Sequence, residues 1–377
     1  MAKYFLIAGE ASGDMHAASL ITALRERDAD ASFAGLGGDR MQAAGCRMYQ
    51  HYNRMAYMGY IAVIAHAGDI RRNIHITRQA LLDEQPDELI LVDYPGFNLR
   101  MAAFCRRHLP QTRITYYIPP KVWAWKRRRV HKIGRYCHRI LGIFPFEPAF
   151  YARYGVKCTY VGNPTAETIT GNVKTESTDH TSPVIALLPG SRRNEIEKCL
   201  PKMLMAAEQA IQATPDIQRI VVTQAPGIEP GLYERICSGH KLAELTTDTY
   251  TAVRQARAAV VNSGTATLET ALLGCPQVSV YHLAMGHILK LFNPLRPLIF
   301  QTVYFTLVNI ITGREVIREL MAYDFTVEAV RDELQRMLTD RDYVARMQEG
   351  YMDVKRILGT MPASATAASI ITDDMNR

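Results

Sequence analysis

Residues 182–195 read Ser182-Pro183-Val184-Ile185-Ala186-Leu187-Leu188-Pro189-Gly190-Ser191-Arg192-Arg193-Asn194-Glu195. The apolar run Val184–Leu188 has no polar alternation, the mark of a strand covered on both faces. Pro189, Gly190 and Ser191 then turn the chain, and a helical pattern begins near Asn194. Strand, tight turn and helix start make the first half of a βα unit, the building block of parallel sheets. Free N–H groups at such a helix start, with a guanidinium beside them, suit a phosphate group. Arg192 is the expected contact, over the turn at Gly190 and Ser191. A solvent-exposed βα loop with two arginines is the plainer alternative.

The same pattern recurs on both sides of this stretch. Upstream, strands are expected at Tyr4–Ala8, Ser32–Gly35, Glu88–Val92, Ile114–Ile118, Arg139–Ile143 and Thr159–Val161. Helices are expected at about Asp14–Arg27, Ile61–Glu84, Leu99–His108 and Arg127–Tyr136. Downstream, strands are expected at Arg219–Thr223, Ala258–Val261 and Gln277–Tyr281 with helices between, and the last fifty residues read as helix. Strands separated by helices imply right-handed crossovers and a mainly parallel sheet. Residues 166–183 are polar and carry no apolar periodicity, a linker signal. The expected fold class is therefore α/β: two Rossmann-like domains, 1–165 and 184–324, facing a central cleft. Helices from 325 to 377 return to the first domain or dock on a second copy of the chain as a homodimer.

A chain of 377 residues exceeds one typical core, which agrees with two domains. With 48% hydrophobic and 21% charged residues it has the composition of a globular protein. Its seven scattered cysteines form no C-x-x-C, so neither a disulfide framework nor a common zinc site is indicated. The run Tyr4–Ala8 is too short for a signal peptide. The apolar region Pro297–Ile311 is interrupted by polar residues and falls short of the about 20 apolar residues a spanning helix needs. A cytoplasmic protein without metal or cofactor is expected. A net charge of +7 invites an anionic partner: nucleic acid, lipid surface or phosphorylated substrate.

Several loops carry chemistry. The first βα turn, Gly9-Glu10-Ala11-Ser12-Gly13-Asp14, lies where doubly wound sheets bind ligands. Its two carboxylates would repel a pyrophosphate, so Glu10, Ser12 and Asp14 suit a polyhydroxyl group such as a sugar. A plain helix cap at Ser12 or Asp14 is the alternative. Asp93, just past the strand Glu88–Val92, could accept a proton from an attacking hydroxyl or start an Asx turn. The stretch Tyr116 to Arg129 holds both tryptophans beside the densest positive charge. It could grip single-stranded nucleic acid or a lipid headgroup, or present a solvated helix face. Tyr60, Ile61, Val63 and Ile64, with Arg71 and Arg72, form either core or a membrane-surface patch. After the strand Ala258–Val261, Ser263, Gly264 and Thr265 make a second anion-binding turn. Glu269, one helical turn on, could reach a ribose diol. Two such turns in one domain point to a nucleotide diphosphate.

Taken in order, these segments resemble the lipid-A-disaccharide synthases, glycosyltransferases of GT-B type. The resemblance runs through Gly9–Asp14, Asp93-Tyr94-Pro95-Gly96-Phe97-Asn98, Val122-Trp123-Ala124-Trp125 and Phe144-Pro145-Phe146-Glu147. It continues through Leu188–Arg192, Ser263–Glu269, Leu307-Val308-Asn309 and Gly313-Arg314-Glu315. The family often has Ser where this chain has Pro119, and Gly-His-Pro where it has Gly162-Asn163-Pro164, so neither position is given a role. The resemblance implies UDP-2,3-diacylglucosamine as donor and 2,3-diacylglucosamine 1-phosphate as acceptor. The products would be UDP and a β-1,6-linked disaccharide 1-phosphate, made at the inner-membrane surface by a peripheral enzyme. Asp93 would be the base, and Asn309 would help at the diphosphate or sugar. Other GT-B transferases and UDP-sugar 2-epimerases share the two-domain plan. A nucleic-acid-binding protein built on Trp123 to Arg129 is the rival from another class, and it leaves the two phosphate turns unexplained.

Overall fold

A computed structural model describes residues 1–54, 67–124, 126–172, 182–282 and 304–375. Two compact units emerge, residues 1–167 with 360–377 and residues 168–359. Each is built on a wholly parallel sheet.

The first unit holds β1 (Lys3–Ala8), β2 (Ser32–Gly37), β3 (Arg47–His51), β4 (Glu88–Val92), β5 (Arg113–Tyr117), β6 (Arg139–Gly142) and β7 (Thr159–Tyr160). Their order is β3-β2-β1-β4-β5-β6-β7. The chain therefore grows outward from β1 in one direction, then restarts at β4 and grows in the other. Every residue of β4 is buried, as its unbroken apolar run requires. Phe5, Ile7, Leu89, Leu91, Ile114 and Tyr116 lie in the core that this sheet forms with helices such as Pro95–His108. The last helix, Ala363–Met375, packs on helix Ala11–Arg27, where Arg27 donates to Thr372 (2.7 Å) and pairs with Asp373 (2.7 Å). At the amino end of the sheet the buried Glu88 pairs with Arg139 (3.2 Å), which also pairs with Asp374 (2.7 Å).

The second unit holds β8 (Val184–Leu188), β9 (Arg219–Thr223), β10 (Ala243–Thr246), β11 (Ala258–Asn262), β12 (Gln277–Tyr281) and β13 (Glu319–Met321), in the order β10-β9-β8-β11-β12-β13. Here the direction of growth reverses between β8 and β11. Helix Val327–Thr339 packs against helix Arg193–Gln212.

Several expectations change. Three strands without an apolar run, β3, β10 and β13, join the sheets, and each lies at a sheet edge. Residues 166–172, expected as linker, continue helix Pro164–Asn172. The terminal helices do not act as one block: Val327–Thr339 and Arg341–Leu358 stay with the second unit, and only the last belongs to the first. Helices Ala11–Arg27 and Pro95–His108 start earlier than their apolar periodicity suggests, so Ser12 and Asn98 are helical. Tyr60, Ile61, Val63, Ile64, Trp125 and residues 173–181 lie outside the described residues. Among the described residues no helix is long and apolar enough to cross a membrane.

Candidate active site

In open parallel sheets, ligands bind beyond the carboxyl ends of the strands where strand order reverses. In the first unit that point lies between β1 and β4, where Ala8 pairs with Val92. The chain leaves β1 through Gly9–Asp14 and β4 through Asp93–Asn98, so topology brings the two predicted loops together. A Cβ on Gly9 would lie 2.3 Å from Cγ of Tyr94. Only glycine lets the Tyr94 ring lie this close to the first turn.

Asp93 and Tyr94 both have φ of 43°, and Ile118, after the neighbouring β5, has φ of 59°. They are three of the six non-glycine residues with positive φ among the described residues. A left-handed backbone costs roughly 1–2 kcal/mol at such residues, so their clustering needs support from the surroundings. The Asp93 carbonyl accepts from Asn98 Nδ2 (2.7 Å) and from the Tyr116 hydroxyl (2.6 Å). Asn98 Nδ2 also donates to the Val92 carbonyl (3.1 Å), and the Asp93 N–H donates to the Ile118 carbonyl (3.1 Å). The backbone of Asp93 is thus clamped while its side chain is exposed. Concentrated strain of this kind is typical of functional sites.

Two further charged groups share this edge. Glu147 is buried just after β6, its Oε2 accepting from Ile143 N–H (2.8 Å) and Phe144 N–H (3.0 Å). Its Oε1 accepts from the Trp123 indole N–H (3.3 Å). Burial pushes the Glu147 carboxyl up to about 7, against the pull of those donors and of Lys121. Lys121 reaches solvent, yet the crowding around it lowers its pKa overall, while Asp93, Glu147 and Glu10 favour its charged form. Trp123 is buried edge-on to Phe144 and Phe146, with ring centroids 6.0 and 5.2 Å away. That location removes Trp123 from any stacking surface for nucleic acid.

Glu10 is half-buried and Ser12 exposed at this edge. Asp14 is different. Its carboxylate is buried and accepts from the N–H groups of Gly38 (2.7 Å), Met41 (3.1 Å) and Arg40 (3.1 Å). It caps the short helix Asp39–Ala43, so the expectation that it lines a sugar site is corrected.

In the second unit the reversal brings together the turns after β8 and β11, where Leu188 pairs with Val261. Gly190, Ser191 and Arg192 thus neighbour Ser263, Gly264 and Thr265. Gly190 has φ of 117°, a left-handed conformation that favours glycine. Arg192 is the N-cap of helix Arg193–Gln212, and its guanidinium donates to Glu195 (2.9 Å). Gly264 and Thr265 are exposed and Ser263 half-buried at the start of helix Thr265–Leu272. Glu269 is half-buried in that helix, and the surrounding protein raises its pKa by desolvation.

Asn309 departs from expectation. It is fully buried, with Nδ2 donating to the Ile317 carbonyl and Glu319 (both 2.9 Å). Its Oδ1 accepts from Val316 N–H (2.8 Å) and Ile317 N–H (3.1 Å). Every polar capacity of the amide holds the chain between helix Leu307–Thr312 and β13, leaving none for a diphosphate. Asn163 likewise caps helix Pro164–Asn172 through Ala166 N–H (3.1 Å). Arg71 and Arg72 are exposed on helix Ala67–Glu84, whereas Ile74 packs against the first core.

A family model described as lipid-A-disaccharide synthetase matches residues 4–370. The chain belongs to this family. The lipid-A-disaccharide synthase of Geobacter sulfurreducens is 34% identical over 382 residues, covering 100% of this chain and 98% of its own. That of Acidobacterium capsulatum is 35% identical over 381 residues, covering 96% and 93%. Membership in the lipid-A-disaccharide synthase family makes the chain a glycosyltransferase of lipid A biosynthesis. Solved structures agree on the fold. The S. aureus MnaA–UDP co-structure aligns with a TM-score of 0.68 at 14% identity, over 100% of this chain and 97% of that one. The calicheamicin glycosyltransferase CalG4 aligns with a TM-score of 0.61 at 15% identity, over 100% and 99%. This is the GT-B-type pair of α/β units, found in glycosyltransferases and epimerases alike.

Asn98, Tyr116, Lys121, Glu147 and Glu195 all lie in stretches that the sequence singles out, but no role for any of them is read there. Glu147 carried a visible signal: an acidic residue two positions past Pro145 at the end of an apolar strand. The others act through partners that only the folded chain supplies.

Proposed function

We propose that the enzyme transfers the glucosamine unit of UDP-2,3-diacylglucosamine to the 6-hydroxyl of 2,3-diacylglucosamine 1-phosphate, with inversion at the anomeric carbon. Asp93 takes the hydroxyl proton as the oxygen attacks, and UDP leaves. The observation that carries the reading is the division of chemistry between the two strand-order reversals. One presents an exposed carboxylate on a clamped backbone, with Glu10 and Ser12 in the neighbouring loop. The other presents two amide-rich turns with Arg192 and Glu269.

The leaving diphosphate gains negative charge as the bond breaks, so donors fixed beforehand around it stabilise the transition state over the ground state. Arg192 and the turns Gly190–Ser191 and Ser263–Gly264–Thr265 supply them, and Glu269 holds the ribose diol. No metal takes part in this proposal, so a chelator should leave turnover unchanged. Both substrates are acylated, so the enzyme works as a peripheral protein at the inner-membrane surface. Arg71 and Arg72 face anionic lipid there, and their replacement by Glu should weaken binding to anionic vesicles.

The test is UDP release from UDP-2,3-diacylglucosamine in detergent, with and without the acylated glucosamine 1-phosphate. Release that depends on the acceptor supports the transfer. Turnover of the UDP-sugar without acceptor would replace the proposal with epimerisation or hydrolysis.

A further inference from the structure

Glu195 lies in the first turn of helix Arg193–Gln212, and its carboxylate holds two of the groups assigned to the donor phosphate. Its Oε1 accepts from Arg192 Nη1 at 2.9 Å, and its Oε2 accepts from Ser191 N–H at 3.3 Å. An ordinary capping box returns an acidic side chain to the N–H of the N-cap residue itself. Here the N-cap is Arg192, and the carboxylate reaches one residue further back, into the turn. Gly190 makes this possible. A Cβ at that position would lie 2.7 Å from Glu195 Oε2 and 2.6 Å from Asn262 Nδ2. The Glu195 side chain is 19% exposed and Arg192 49%, so the carboxylate sits beneath a guanidinium that reaches outward.

We infer that Glu195 is a resident anion on the phosphate-binding turn, displaced from Arg192 and Ser191 when a nucleotide diphosphate binds. The inference rests on the reading of this turn as the donor site. Two anions close together on one set of donors repel each other. The Ser191 contact lies at the long end of the hydrogen-bond range, so it yields readily to a closer acceptor. Glu195 therefore weakens the hold on UDP, and by doing so speeds release of the product. When UDP has left, the carboxylate keeps Arg192 and the turn in place for the next donor.

The experiment is titration calorimetry of UDP into the full chain, for the wild type, Glu195→Gln, Arg192→Ala and the double variant. Glutamine keeps the shape and removes the charge. UDP should bind Glu195→Gln roughly three- to tenfold more tightly, the range expected for freeing one exposed ion-paired guanidinium and removing one repulsion. The gain should shrink in the Arg192→Ala background, where only the repulsion and the Ser191 contact are left to remove. Should Glu195→Gln not fold, Glu195→Ala is expected to shift affinity in the same direction. Unchanged or weaker UDP binding by a folded Glu195 variant overturns the inference and leaves the donor site standing. Absence of UDP binding by the folded wild type overturns both.

Discussion

The carboxyl edges of the two sheets occupy equivalent places in their folds and are made of opposite materials. The first is built from carboxylates on a strained backbone: Asp93 exposed on two consecutive left-handed residues, Glu147 buried among three N–H donors. The second is built from glycine, small hydroxyl residues and a guanidinium at helix starts. A carboxylate on a left-handed backbone needs support from its surroundings, which Asn98 and Tyr116 give. A phosphate is gripped by N–H groups that a helix start leaves free. One architecture thus offers an exposed carboxylate at one edge and helix-start N–H groups at the other. One carboxylate of the second edge, Glu195, is itself engaged by Arg192 and the Ser191 N–H.

The contrast can be broken in four places. The largest effect is expected at Asp93. Asp93→Asn should lower turnover by about 10²–10⁴-fold, the usual contribution of a general base, with UDP affinity kept. Near-normal turnover would remove Asp93 from the mechanism. Glu147 comes next. Its folded pKa is raised above the unfolded value, so the folded state binds the extra proton and stability falls as pH rises from about 4.5 towards 7. The expected loss over that window is about 3 kcal/mol, and Glu147→Gln should flatten it in urea titrations at several pH values. A slope unchanged by the substitution would place the raised pKa elsewhere.

Asn309→Ala should cost about 2 kcal/mol of stability through its unpartnered buried neighbours, while the molecules that remain folded bind UDP normally. A selective loss of UDP binding at unchanged stability would return Asn309 to the donor site. Arg192→Ala should weaken UDP binding by about tenfold, the worth of one charge-assisted hydrogen bond. Equal affinity in the wild type and this variant would move the diphosphate off the second edge.

Buried strands were readable because each is an unbroken apolar run, and β4 and β8 match their expected limits. The strands β3, β10 and β13 were not, for a common reason. An edge strand pairs on one side only and is half-exposed, so its side chains need not be apolar; Arg47–His51 and Ala243–Thr246 contain mostly intermediate or exposed residues. The loops of the candidate site were readable because glycine, proline and small polar residues interrupt the strands where the chain must turn.

The sequence by itself determined that the chain alternates buried strands with helices, and which loops follow the strands. Local apolar runs and turn residues carry that information. Its motifs also pointed to the family. Only the tertiary structure decided which loops meet, because that depends on where strand order reverses: between β1 and β4, and between β8 and β11. It also decided which polar side chains remain available to a ligand. Asp14 and Asn309 sit in motifs as conspicuous as that of Asp93. Asp14 is taken up by N–H groups 24 to 27 residues away, and Asn309 by the loop and strand that follow it. A buried polar group must be hydrogen-bonded, and the partners that satisfy it come together only when the chain has folded.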